Sequence, residues 1–154
     1  MVVLQLFESV VMSNLDIDDP DAPVAKVENP RQEAIRLKEK GNSYYKGGLY
    51  DLAIQCYTGA LGVCSDQYKQ DKAILYQNRA AALENKKSFE EAVHDLNEAL
   101  ILHPRYEKAL SRRSRIYHIQ GKLQNALTDI TAAAIFNNFK TGVGVSHLFR
   151  INAF

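Results

Sequence analysis

Lys38 and Asn42 stand four residues apart, as do Lys108 and Arg112, so on a helix each pair shares one face. Asn78 lies between the two pairs along the chain, in the run Tyr76-Gln77-Asn78-Arg79-Ala80. Ammonium, guanidinium and amide groups are hydrogen-bond donors, and each wants an anionic or carbonyl partner held in a fixed array. The two amides add donors without adding repulsion between cations. This set of side chains is equipped for recognition of an acidic ligand and not for making or breaking bonds.

The remainder of the sequence supports that division. A phosphate-cradling glycine loop, a G-x-S-x-G elbow and a nucleophile with a neighbouring base are all missing, so the expectation is a protein that is not an enzyme. His94, His103, His118 and His147 form no pair at i, i+3 or i, i+4, which argues against a metal centre, and no cofactor is expected. Cys56 and Cys64 are too few for a disulfide framework and point to a reducing compartment, with Cys56 a small hydrophobe on a core-facing helix. Nineteen Lys+Arg against eighteen Asp+Glu leave a formal charge of +1 in 154 residues, so there is no broad basic field for nucleic acid. In the run Arg112-Arg113-Ser114-Arg115 the side chains point in different directions around a helix, and only Arg112 is expected to face a groove.

What must position the five residues is a set of helices. Residues 1–28 contain an apolar start without a basic region, then the acidic, proline-broken stretch Asn14 to Pro23, and read as a flexible leader with no membrane anchor. Asn29-Pro30 is a helix start, with Asn as N-cap, Pro at the first helical position and Gln32 as capping-box partner. From there to residue 139 only Pro30 and Pro104 interrupt a helical pattern of apolar residues. Ala92, Leu96 and Ala99 recur 34 positions later as Ala126, Ile130 and Ala133. An earlier copy, Ala53, Tyr57 and Ala60, lies 39 positions before Ala92, one period plus an insertion of five placed in the polar stretch 65–72. Gly41, Ala80 and Ser114 occupy a close-approach position, each followed three residues on by a bulky filler, Tyr44, Leu83 or Tyr117. A capping box, Ser88-Phe89-Glu90-Glu91, opens one of the second helices. A period of 34 built from helix pairs is that of the tetratricopeptide repeat (TPR). The fold expected is all-α, a right-handed α-solenoid of three TPR units over 34–65, 73–106 and 107–138 within a domain spanning 29–139. Its second helices are placed at Tyr50–Cys64, Phe89–Leu102 and Leu123–Phe136. The first helices line the concave face, which puts Lys38, Asn42, Asn78, Lys108 and Arg112 in one groove.

The stretches Leu37-Lys38-Glu39-Lys40-Gly41-Asn42, Tyr76-Gln77-Asn78-Arg79-Ala80 and Lys108-Ala109-Leu110-Ser111-Arg112-Arg113 resemble the carboxylate-clamp TPR family. The resemblance implies binding of the extreme C-terminal acidic peptides of the chaperones Hsp70 and Hsp90. It assigns Lys38, Asn42 and Asn78 to the main-chain carboxylate and Lys108 and Arg112 to the side chain of the last Asp.

Gln55-Cys56-Tyr57-Thr58, Ile74 to Ala82 and Leu127 to Phe136 are similar, within that family, to the large chaperone-docking TPR receptors of the mitochondrial outer-membrane translocase (TOM complex). That likeness covers about 31–140 and implies partners in the TOM complex and in chaperone-bound precursor proteins. It also implies a place on the cytosolic face of the outer membrane, or in the cytoplasm if the likeness is only to the wider family. The anchor and further repeats of such receptors are missing here, so the chain reads as a fragment, a short isoform or a soluble relative with no membrane insertion of its own. Residues 140–154, with Val145, Leu148, Phe149, Ile151 and Phe154, do not read as a polar capping helix. Three alternatives stay open: a soluble Hsp70/Hsp90 co-chaperone, the TPR targeting module of an enzyme such as a phosphatase or prolyl isomerase, and a scaffold that holds an internal motif of a partner.

Overall fold

The computed structural model describes residues 29–140. The leader expected over 1–28 lies outside the described residues, as does all but the first residue of the expected tail. Helix α1 spans Pro30–Lys46, α2 Tyr50–Val63, α3 Lys69–Asn85, α4 Phe89–Leu102, α5 Glu107–Ile119 and α6 Leu123–Lys140. Among the described residues there are no strands. The fold is all-α.

Local chemistry accounts for most of the boundaries. Asn29 caps α1 by accepting the backbone N–H of Arg31 on its Oδ1 at 3.1 Å, and Pro30 fills the first helical position, where no N–H partner is needed. Ser88 does occupy the N-cap of α4, but its hydroxyl makes no capping hydrogen bond, so the expected capping box does not form. The turn inside each helix pair is one motif used three times. The N–H of Leu49, Ser88 and Lys122 returns to the carbonyl of Tyr44, Leu83 and Tyr117 at 2.9, 3.0 and 2.8 Å. The residue before each of these donors has positive φ: Gly48 at 74°, Lys87 at 62° and Gly121 at 74°. Glycine fits that geometry freely, and Lys87 adopts it at some cost because its Cβ crowds the neighbouring carbonyl. The five extra residues between the first two repeats are not all linker: Lys69–Lys72 continue as an added first turn of α3. That turn is tied to its surroundings by Lys72 bonding Asp66, and by Arg31 bonding Asp71 at 3.1 Å while lying 4.6 Å over the Tyr68 ring.

Each helix packs on its successor, and α1 also approaches α3, as α3 does α5. The first helices of the pairs thus form one layer and the second helices another. The core lies between the layers. One cluster gathers Ala53, Tyr57, Ala60, Leu75 and Ala82, and another Ala80, Leu83, Ala92, Leu96, Ala99 and Ile116. Leu96 and Ile116 are fully buried, each contributing about 1.5–3 kcal/mol relative to an exposed side chain. Ile130, the repeat equivalent of Leu96, is instead 55% exposed. Leu96 is covered because α5 follows it; among the described residues no further helix follows α6, so a position apolar by periodicity is left open to solvent.

Small residues set the spacing of the layers. A Cβ placed on Gly41 would lie 2.7 Å from Cε1 of Tyr57, a ring that is only 2% exposed. Ser114, at the equivalent place in α5, is buried and turns its hydroxyl to the carbonyl of Ala126 at 2.9 Å. The site is small enough for Ala or Ser, and the serine uses its one polar atom to bond the partner helix.

Candidate functional site

Lys38 and Asn42 lie on α1, Asn78 on α3, and Lys108 and Arg112 on α5, the three helices of the first layer. Lys38 is half-buried and borders a narrow crevice at the seam of α1 and α3 with Ile35, Asp71 and Ile74. Four residues on, Asn42 meets Asn78 directly across the same seam: the Nδ2 of Asn78 donates to the Oδ1 of Asn42 at 3.2 Å. That oxygen also accepts the hydroxyl of Tyr57 at 2.8 Å. Two donors on the oxygen fix the amide so that the Nδ2 of Asn42 remains as a donor. Tyr57 is held in this role by burial, which pushes its phenol pKa up to about 12, with the neighbouring Tyr45 and Cys56 adding to the rise.

Lys108 and Arg112 line the next seam, between α5 and α3, in an open cleft of about 260 Å³ shared with Gln77, Glu107, Ser111 and Arg115. Gln77 adjoins Asn78 on α3 and is buried, its Oε1 accepting the hydroxyl of Tyr106 at 3.4 Å. The five sequence-derived residues therefore fall in a row across α1, α3 and α5, three at the first seam and two at the second.

Arg112 is not idle in that row. Its Nη1 bonds the carboxylate of Glu84, which also takes Nε and Nη2 of Arg115, both at 2.7 Å. Burial works to raise the Glu84 pKa, but the hydrogen bonds from Arg115 and Arg112 outweigh it and hold the carboxyl below its usual range. Arg115 thus shares the groove side with Arg112, contrary to the expectation that Arg112 alone would face that way. It stands seven residues from Lys108, a spacing that returns to the same helical face.

Arg79 and Arg113 turn the other way, toward the second layer. Arg79 grips Asp95 with Nε and Nη2, both at 2.7 Å, and reaches Thr58 at 3.0 Å. Arg113, 34 positions later, grips Asp129 in the same fashion at 2.7 Å twice, and reaches Asn97 at 2.6 Å. Each guanidinium ties its own helix pair to the preceding second helix. In the first pair the corresponding positions hold Lys40 and Cys56, and no such fork is formed.

Among the described residues no group of His, Cys, Asp and Glu is placed to hold a metal ion. No helix of the described residues is long and apolar enough to cross a membrane.

No family model matches the chain. Human mitochondrial import receptor subunit TOM70 is 38% identical over 122 residues, which is 79% of this chain and 20% of the receptor. The chain therefore spans about a fifth of the length of that relative. The second TPR of Spaghetti (RPAP3), solved with the HSP90 peptide SRMEEVD, is 35% identical at a TM-score of 0.63, with 69% of this chain matched to 94% of that one. The chain belongs to the tetratricopeptide-repeat family. The second TPR domain of human RPAP3, solved in complex with the HSP70 peptide SGPTIEEVD, is 34% identical at a TM-score of 0.63, covering 70% of this chain and 85% of that one.

Small residues and spacing along single helices do not show the polar ties of this TPR array, neither the forks facing the second layer nor Glu84 in the groove. The Arg79–Asp95 and Arg113–Asp129 forks recur at the 34-residue period and were legible had charged positions been compared as the alanines were. Glu84 carried no such signal, because the equivalent positions of the other repeats hold Tyr45 and His118 and repeat no acid.

Proposed function

We propose that this chain is a chaperone-docking TPR module that holds the acidic C-terminal peptide of Hsp70 or Hsp90. In this reading Lys38, Asn42 and Asn78 take the terminal carboxylate, and Lys108 and Arg112 take the side chain of the last Asp. The observation that carries it is the Asn42–Asn78 hydrogen bond. It ties α1 to α3 and leaves amide donors next to Lys38, one helix away from Lys108 and Arg112. Similarity to TPR domains solved with peptides ending in Glu-Glu-Val-Asp supports the same ligand class. A tail that must be ordered on docking binds with a Kd near micromolar, roughly 8 kcal/mol.

The likeness to TOM70 supports a more specific setting. There the module receives chaperone-bound precursors for import at the cytosolic face of the mitochondrial outer membrane. The test is titration of the purified chain with SRMEEVD as free acid and as C-terminal amide, at low and high salt. The free acid binds, salt weakens it, and amidation or Lys108→Glu abolishes it. Equal binding of the amide defeats the reading.

A further inference from the structure

Glu84 is a carboxylate that already sits on Arg112. Its side chain is 11% exposed and that of Arg112 19%, so the contact is drier than an ordinary surface pair. Arg115, 60% exposed, holds Glu84 by two parallel bonds and so keeps it in place. Arg112 is served less well: one of its nitrogens reaches Glu84, and its Nε is buried without a hydrogen-bond partner. Arg79 and Arg113, by contrast, each engage their aspartate through both Nε and Nη2.

An incoming acidic side chain directed at Arg112 finds that guanidinium partly neutralised. We propose that Glu84 is a specificity-determining residue of the groove, an internal carboxylate that competes with the ligand's last acidic side chain for Arg112. This rests on the clamp reading above. With Glu84 in place, part of what Arg112 would give to the ligand is already spent within the chain. The groove therefore discriminates only moderately between a terminal Asp and its neutral analogue. Removing the charge of Glu84 leaves Arg112 to the ligand alone.

The experiment measures Kd for SRMEEVD and for the same peptide ending in Asn, on the wild-type chain and on Glu84→Gln, by calorimetry at low salt. The expected result is that Glu84→Gln tightens the Asp-ending peptide about three- to tenfold and the Asn-ending peptide less than twofold. Weaker binding of the Asp peptide by the variant makes Glu84 a support for Arg112 and overturns the inference. An equal gain for both peptides reveals a general field effect, with no competition at Arg112, and overturns it too. Glu84→Ala is measured in parallel with helicity and melting recorded, so that a loss of fold in one variant is recognised and the other decides. If the wild type fails to distinguish free acid from amide, the clamp reading itself has failed and this inference with it. If it does distinguish them while Glu84→Gln changes nothing, only the inference falls.

Discussion

Replacing Gly41 by alanine sets two effects of opposite sign against each other. Gly41 lies in the interior of α1, where alanine is favoured over glycine by roughly 0.5–1 kcal/mol. On that ground alone the variant is more stable. The new methyl group, however, meets Cε1 and Cδ1 of Tyr57 at 2.7 and 2.9 Å, where carbon atoms rest at about 3.5–4.0 Å. The ring must retreat by nearly an ångström inside a packed core, an overpacking that costs about 1–3 kcal/mol. Its retreat also strains the hydroxyl bond to Asn42, worth about 1 kcal/mol. The sum is a net loss of about 1–3 kcal/mol, or a melting temperature lower by about 5–15 °C in a domain of this size. Because Asn42 loses its anchor, affinity for a C-terminal acidic peptide falls as well. Gly59→Ala is the control. It lies in the interior of α2 with its nearest neighbour, Leu37 Cδ1, at an ordinary 3.5 Å, and it raises stability by roughly 0.5–1 kcal/mol. Thermal melts followed by circular dichroism read both variants. A Gly41→Ala protein that melts at or above the wild-type temperature refutes the account of that contact.

Asn42→Asp keeps an oxygen for Tyr57 and Asn78 but puts a negative charge where a donor stood; peptide affinity, read by calorimetry, drops at least about tenfold while the melting temperature changes little. Asp95→Asn and Asp129→Asn each leave a half-buried guanidinium with a neutral partner and lower stability by about 1.5–3 kcal/mol in chemical denaturation, additively because the forks are separate. Glu84 has a folded pKa below its ordinary 4.5, so the folded state holds its proton less tightly than the unfolded one. The stabilisation is complete above 4.5 and is lost as the pH falls through the folded value, so Glu84→Gln flattens the fall of melting temperature with acid in that window.

The helix pairs were readable because a close-packed solenoid demands small residues at fixed intervals, and Ala53, Ala92 and Ala126 meet that demand. The second helices begin where the periodicity puts them, at Tyr50, Phe89 and Leu123. Burial was less legible. Ile130 has the same periodic position as Leu96 and a different environment, since exposure depends on what packs next. Ser88 shows that a capping pattern offers a bond that the local backbone need not accept. For the site, spacing along single helices brought out Lys38 with Asn42 and Lys108 with Arg112. The ties between helices, Tyr57 to Asn42 and Glu84 to Arg112 and Arg115, join residues 15, 28 and 31 positions apart, which helical spacing does not record.

The unequal distribution of the arginine forks bears on how the groove comes apart. In a stacked array each unit is held by its own cohesion and by its neighbours, and the units need not open together. The second and third pairs are each riveted by a fork, whereas the first, which supplies Lys38 and Asn42, is held without one, by apolar packing, the Tyr57–Asn42 hydrogen bond and links to the second pair such as Asn42–Asn78 and Arg31–Asp71. Amide protons of α1 and α2 should therefore exchange with solvent sooner than those of α3 and α4. The part of the gripping surface that α1 carries can then be released while the rest of the array stands, and the lifetime of a captured tail is set by the loosest pair.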